Sequence, residues 1–187
     1  MISYLQVGID HILDVNGYDH MLFIAVLLSG VSPKAWKSVL WLITAFTIGH
    51  SLTLAYTVLF DPLIPSAWVE FFIPITIMLT AAGNFRKEEK SLHWKVVITI
   101  CFGLIHGMGF AGYLSSLLPP DMPLWQPLLF FNLGVELGQI LFAAVLVGLF
   151  LLTRYITENA VRPAQIGLSI VGFGVSLLLA IEKWPLS

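Results

Sequence analysis

Charge is scarce in this chain: Asp, Glu, Lys and Arg make up 11% of its 187 residues, against about 25% in an ordinary soluble domain. There is one cysteine, Cys101, so no internal disulfide framework exists. Nine basic residues, a net charge of -2 and a pI near 6.2 leave no cationic surface for nucleic acid. Low-complexity tracts and internal repeats are absent, which excludes a disordered tail and a solenoid. Ten-residue segments of alternating polarity are also missing, which argues against a membrane β-barrel. In excess are hydrophobic residues (58%) and aromatic ones (13%), with a mean hydropathy of +0.90. Such a composition cannot clothe a water-soluble globule, and an integral membrane protein is expected.

A helix needs about 20 mostly apolar residues to cross the hydrocarbon layer. Five runs meet that length, at roughly 36–60, 67–85, 94–117, 125–153 and 164–184. A sixth, roughly 18–32, is short for a span and follows Asn16-Gly17, while Ile2 to Val15 is apolar yet polar enough to be odd in lipid. The expected fold is therefore all-α: a polytopic bundle of about six transmembrane helices. The first helix is broken near Asn16-Gly17, with its outer half tucked against the others. Residues 1–187 read as one integral membrane domain. Ser32-Pro33, Asp61-Pro62, Pro119-Pro120 and Arg162-Pro163 fall between the runs, where proline disturbs no helix. The six tryptophans lie near predicted span ends, as an interfacial belt requires.

Lys34 and Lys37, then Arg86, Lys87, Lys90 and Lys95, then Arg154 and Arg162 fall in alternate connections, whereas the others hold Asp61, Asp121 and, at the tail, Lys183. The positive-inside rule makes the basic connections cytoplasmic and places both termini outside. The absence of Lys or Arg before Lys34 gives the N-terminus no signal-peptide n-region.

A charge at mid-bilayer costs about 2.5–3.5 kcal/mol on insertion scales, so each one needs a partner or a task. The set here is Asp10, His11, Asp14, Asp19, His20, His50, Glu70, His106 and Glu136, with Asn84, Asn132 and Gln139. No lysine or arginine lies deep in a span, and acids with histidines and no internal cation suit a metal ion or protons. His50, His106 and Glu136 each fall about ten residues from an outer span end, about 15 Å down at 1.5 Å per residue. Asn132, Glu136 and Gln139 follow i, i+4, i+7 spacing, and Thr47, His50 and Ser51 share a helix face. Imidazole suits Ni, Zn, Cu or Fe, whereas Mg or Ca would take an all-oxygen set. The candidate ligands are His20, His50, His106, His11, Asp19 and Glu136. Glu70, Asn132, Gln139, Ser51 and Asn84 are the candidates to orient them. Cys101 lies off the face of His106, His93 belongs to the basic edge, and Asp10 and Asp14 face water or cap the broken helix. The run Gly107-Met-Gly-Phe-Ala-Gly112 follows no strand and is not a phosphate loop. Gly103 with Gly107, and Gly134 with Gly138, have the spacing of close helix packing.

Several segments together resemble the HupE/UreJ family of small bacterial membrane proteins. They are His11-Ile-Leu-Asp, Gly17-Tyr-Asp-His-Met-Leu-Phe and Thr44-Ala-Phe-Thr-Ile-Gly-His50-Ser-Leu-Thr-Leu, then Val69-Glu70 and Asn84. Phe102-Gly-Leu-Ile-His106-Gly-Met-Gly-Phe-Ala and Phe131-Asn-Leu-Gly-Val-Glu136-Leu-Gly-Gln139 complete the set. Relative to the family's common form, Val15-Asn16 reads as a two-residue insertion. The resemblance implies a permease for nickel or a similar divalent metal in the bacterial inner membrane. Its partners would be the lipid bilayer and the metal ion, with no nucleic acid; a homo-oligomer is compatible with six helices. The same polar set also suits an intramembrane metalloenzyme, hydrolytic with Glu136 as general base or redox-active with copper or iron. A metal-binding accessory subunit is the third reading, and the lack of a long soluble loop counts against it.

Overall fold

The computed structural model describes residues 2–60, 62–86, 91–118 and 123–186. Asp61, Lys87, Lys90, Pro119, Pro120 and Asp121 lie outside them. The described residues form helices and no strand: α1 (Ile2–Leu13), α2 (Asp19–Ser29), α3 (Trp36–Leu59), α4 (Ser66–Asn84), α5 (Leu92–Ser116), α6 (Trp125–Ile156) and α7 (Val161–Glu182). A short 3-10 turn, Glu158–Ala160, joins the last two. Helices α3 to α7 are long and apolar enough to cross a membrane, so the chain is a polytopic helical membrane protein. Arg162-Pro163 does not separate helices as expected. It falls in the first turn of α7, where proline forfeits an N–H that has no helical partner anyway.

The first two helices together make one interrupted crossing. Leu5 and Gly8 of α1 pack on Phe131–Val135 of α6, and Ile9 and Ile12 on Gly138, so α1 runs parallel to α6. Leu22 and Val26 of α2 face Gly172 of α7, and Val31 just beyond α2 accepts a hydrogen bond from Gln165, so α2 runs antiparallel to α7. Since α6 and α7 run in opposite directions, α1 and α2 follow one another in the same sense. At 1.5 Å per residue they rise about 18 Å and 17 Å, near the hydrocarbon thickness of about 30 Å. The interruption has a local cause. The Asp14 carboxylate accepts from the backbone N–H of Asn16 (2.9 Å), an Asx turn that competes with the helix ladder. Val15 and Asn16, the apparent insertion, stand exposed in this turn.

Glycine sets the tightest packing. A Cβ on Gly49 would collide with the Ile100 carbonyl, one on Gly103 with that of Phe46, and one on Gly107 with that of His50, so α3 and α5 meet backbone to backbone. Gly8 and Gly134 do the same for α1 and α6. At the other end of α2, the Asn84 amide donates to the Val26 carbonyl (2.7 Å) and to Ser169 Oγ (3.0 Å), joining α2, α4 and α7. Phe23, Val26, Phe46, Ile77 and Ala81 form a buried cluster between them.

Candidate metal site

The histidines are positioned by the interrupted crossing and the glycine seam. His11 occupies the last turn of α1 and His20 the first turn of α2. The glycine seam carries the other two: His50 in α3 packs on Gly103 and Gly107, and His106 lies next to Gly107 in α5. One ligating atom from each of His11, His20 and His50 lies within 4.8 Å of the others, so these three can hold a metal ion. The rings of His11 and His20 are 4.4 Å apart between centroids, and that of His106 is 5.1 Å from His20. Phe23, Phe46, Phe110 and Phe131 wall the group, with Phe110 as near as 3.8 Å to His11. His50 and His106 are 0% exposed and His20 is 3% exposed.

Hydrogen bonds settle which nitrogen of two rings faces inward. His20 Nδ1 is 3.0 Å from Asp19 Oδ1, which also accepts from the His20 backbone N–H at 2.9 Å. A carboxylate can only accept, so His20 carries its proton on Nδ1. His106 Nδ1 is 2.9 Å from the Phe102 carbonyl and must likewise donate. With the proton on Nδ1, the neutral form of either ring presents its Nε2 lone pair, the arrangement by which metal-ligating histidines are oriented. Among the described residues, His11 Nε2, His20 Nε2, both nitrogens of His50 and His106 Nε2 are buried with no hydrogen-bond partner. Leaving one buried polar atom unsatisfied costs about 1–3 kcal/mol. Unsatisfied nitrogens from four residues at one spot need a cause beyond packing.

The carboxylates divide among different places. Asp19 belongs to the cluster through His20. Glu136 Oε1 accepts from Thr44 Oγ1 at 2.7 Å, and Gln139 Oε1 from Thr47 Oγ1 at 2.9 Å. Thr44 and Thr47 precede His50 by six and three residues, so this pair lies one to two turns along α3 from the histidines. Glu136 Oε2 and Gln139 Nε2 are buried there without partners. Asn132 adjoins His50, donates to the Leu128 carbonyl (2.8 Å) and has an unpartnered Oδ1. Ser51 is half-buried beside His50 in α3. Glu70 is apart from the histidines: its carboxylate meets Lys183 Nζ at 3.0 Å, supplying the cation that no span provides. Asn84 is apart too, tying α2, α4 and α7 together. Asp10 is exposed and accepts from Gln6 (2.7 Å), and Cys101 is exposed on α5.

Sequence reasoning did not single out the phenylalanine wall or Thr44. The periodicity carried part of the wall: Phe46 precedes His50 by four residues and Phe23 follows His20 by three, each about one turn away on the same face.

With the geometry described, comparison with known proteins adds one relationship. A family model described as HupE / UreJ protein matches residues 1–184. No curated protein and no solved structure matches the chain.

Proposed function

The chain belongs to the HupE/UreJ family, and from that premise we propose that it is a permease for a divalent transition metal, nickel or a similar ion, in the bacterial inner membrane. The observation that carries this reading is the convergence of unpartnered, buried imidazole nitrogens from α1, α2, α3 and α5. His11, His20 and His50 are the first ligands and His106 an alternative one, within reach of His20. Asp19 and the Phe102 carbonyl keep the two flanking imidazoles in the ligating tautomer. Imidazole donors select transition metals over Mg or Ca.

The interrupted crossing suits transport. Discontinuous helices place half-helix ends at a substrate site and give a transporter a joint about which to rock. Asp19 is 29% exposed and within electrostatic range of Lys183, so the site is approached from the end that carries Glu70 and Lys183. In our reading that end is periplasmic, both termini lie there, the basic end is cytoplasmic, and residues 1–187 act as one membrane domain. Beyond the histidines, Glu136 with its unpartnered Oε2 and Gln139 offer the next polar stop towards the cytoplasmic end. The ion is cargo, so it must bind weakly enough to leave.

One observation favours a metalloenzyme instead: the phenylalanine wall would retain a metal and exclude bulk water. The two readings differ in exchange. Protein reconstituted in liposomes should take up radioactive nickel, with His50→Ala and His106→Ala reducing uptake at least tenfold. Unchanged uptake in both variants overturns transport through this site. A stoichiometric metal that survives a mild chelator and disappears in His50→Ala would establish the enzyme reading.

A further inference from the structure

The spacing of the imidazoles bears on which ion they hold, an inference that rests on reading them as the metal site. A nitrogen about 2.1 Å from a metal puts the centre of its ring about 3.2 Å away, so rings around a tetrahedral ion stand about 5.2 Å apart. Neighbouring rings around a square or octahedral ion come to about 4.5 Å. A facial triad would show that spacing three times and a meridional triad twice. The structure shows it once. The centroids of His11 and His20 are 4.4 Å apart, but those of His11 and His50 are 5.8 Å and those of His20 and His50 5.7 Å. The triad is too open for square or octahedral corners and straddles the tetrahedral value.

His106 supplies a fourth corner. Its ring stands 5.1 Å from that of His20, within the range of the triad. Its Nε2 is buried without a partner among the described residues, while Nδ1 is fixed on the Phe102 carbonyl. Few other donors are at hand to fill a sixfold shell. Phe23, Phe46, Phe110 and Phe131 close around the rings, and His50 and His106 are 0% exposed. Asp19 Oδ1 is committed to His20 Nδ1, and Glu136 Oε1 to Thr44. Asn132 Oδ1, unpartnered beside His50, is placed to accept from the His50 nitrogen that turns away from the ion.

We propose that His11, His20, His50 and His106 together form a tetrahedral four-nitrogen site, which favours Zn²⁺ or Co²⁺ over Ni²⁺. Zn²⁺ has no geometric preference of its own and sits readily in a tetrahedron of imidazoles. Ni²⁺ favours square-planar or octahedral surroundings, and so is a weaker guest at the same nitrogens. The consequence is an inverted order of affinity. A site without geometric constraint binds Co²⁺ less tightly than Ni²⁺, whereas a tetrahedral one binds Co²⁺ more tightly.

The test uses the whole protein in detergent, with Co²⁺ as the probe. A tetrahedron lacks the centre of symmetry that suppresses d–d absorption, so tetrahedral Co²⁺ is intensely coloured and octahedral Co²⁺ is pale. Bound Co²⁺ should absorb visible light at least about tenfold more strongly than the aqueous ion, and should bind more tightly than Ni²⁺. Zn²⁺ should displace both. His106→Ala should shift the band maxima and weaken Co²⁺ binding at least about tenfold, because one corner passes to water. Pale, octahedral-type absorption overturns the proposal while leaving the histidines a metal site, and so does tighter binding of Ni²⁺ than of Co²⁺. A spectrum and affinity that His106→Ala leaves unchanged overturn the four-nitrogen set. Failure to bind any of the three ions overturns the metal-site reading, and the proposal with it. The wild-type spectrum and the order of affinities decide the matter even if His106→Ala does not fold.

Discussion

Replacing Gly107 by alanine should damage the metal site without touching a ligand. A Cβ there would overlap the carbonyl oxygen of His50 and Thr53 Oγ1, and would lie 2.8 Å from the His50 carbonyl carbon. Ordinary contacts between heavy atoms begin at about 3.5 Å, so α3 and α5 must part by about 1 Å or rotate. The obstacle is backbone on the facing helix, which cannot swing aside as a side chain does. Overpacking of this kind costs about 1–3 kcal/mol. Metal sites tolerate only about 0.2 Å in ligand distance, so a shift of His50 against His20 and His11 should lower metal affinity at least about tenfold. Gly112 on the same helix is the control, because a Cβ there meets nothing within 4 Å. Gly112→Ala should leave metal binding unchanged and, by the helix preference of alanine, stabilise by up to about 1 kcal/mol. The assay is nickel titration of detergent-purified protein, with thermal unfolding of the same samples. If Gly107→Ala binds metal and melts like Gly112→Ala, the backbone seam does not position His50.

Asp19→Ala removes the acceptor that keeps the His20 proton on Nδ1. Metal affinity, measured by competition with a chromogenic chelator, should fall about 10–100-fold; an unchanged affinity would show that Asp19 does not orient the ring. Glu136→Gln retains an oxygen for Thr44 and the side-chain shape but loses the charge. Nickel uptake into liposomes should fall at least tenfold while binding at the histidines persists, and undiminished uptake would remove Glu136 from the path. The hydrogen bond to Glu70 raises the Lys183 pKa above the usual lysine value. The contribution of that pair is therefore complete at neutral pH and lost as pH rises through the raised pKa. Both side chains are about half exposed, so Lys183→Met should cost at most about 1 kcal/mol in thermal unfolding at pH 7. A larger loss would mean the pair is better shielded from water than its exposure indicates.

The helices were legible because apolar run length is a direct consequence of bilayer thickness. Runs at 36–60, 67–85 and 94–117 match Trp36–Leu59, Ser66–Asn84 and Leu92–Ser116 within about two residues. The same physics located the interruption at Asn16-Gly17, since Asp14 and Asn16 compete with the helix for hydrogen bonds. What an apolar pattern cannot encode is which helix faces which. Lipid-facing and protein-facing surfaces of a span are equally greasy, so the pairing of α1 with α6 was readable only as small-residue spacing at Gly134 and Gly138. Glu70 illustrates the loss: its partner, Lys183, lies 113 positions away and looks like an ordinary tail residue. Depth counting put Glu136 level with His50, but could not distinguish a carboxylate beside the imidazoles from one tied to Thr44.

The pairing of α1 with α6 also imposes an order of assembly. α1 has only 12 residues, too few to cross the hydrocarbon layer alone, and the surface that receives it is built from Phe131, Gly134 and Gly138. Those residues leave the ribosome more than one hundred positions after α1. The contacts that hold α1, and with it His11, beside the other histidines are therefore incomplete until α6 is present. The triad that could hold a metal ion is thus complete only once most of the spans are in place.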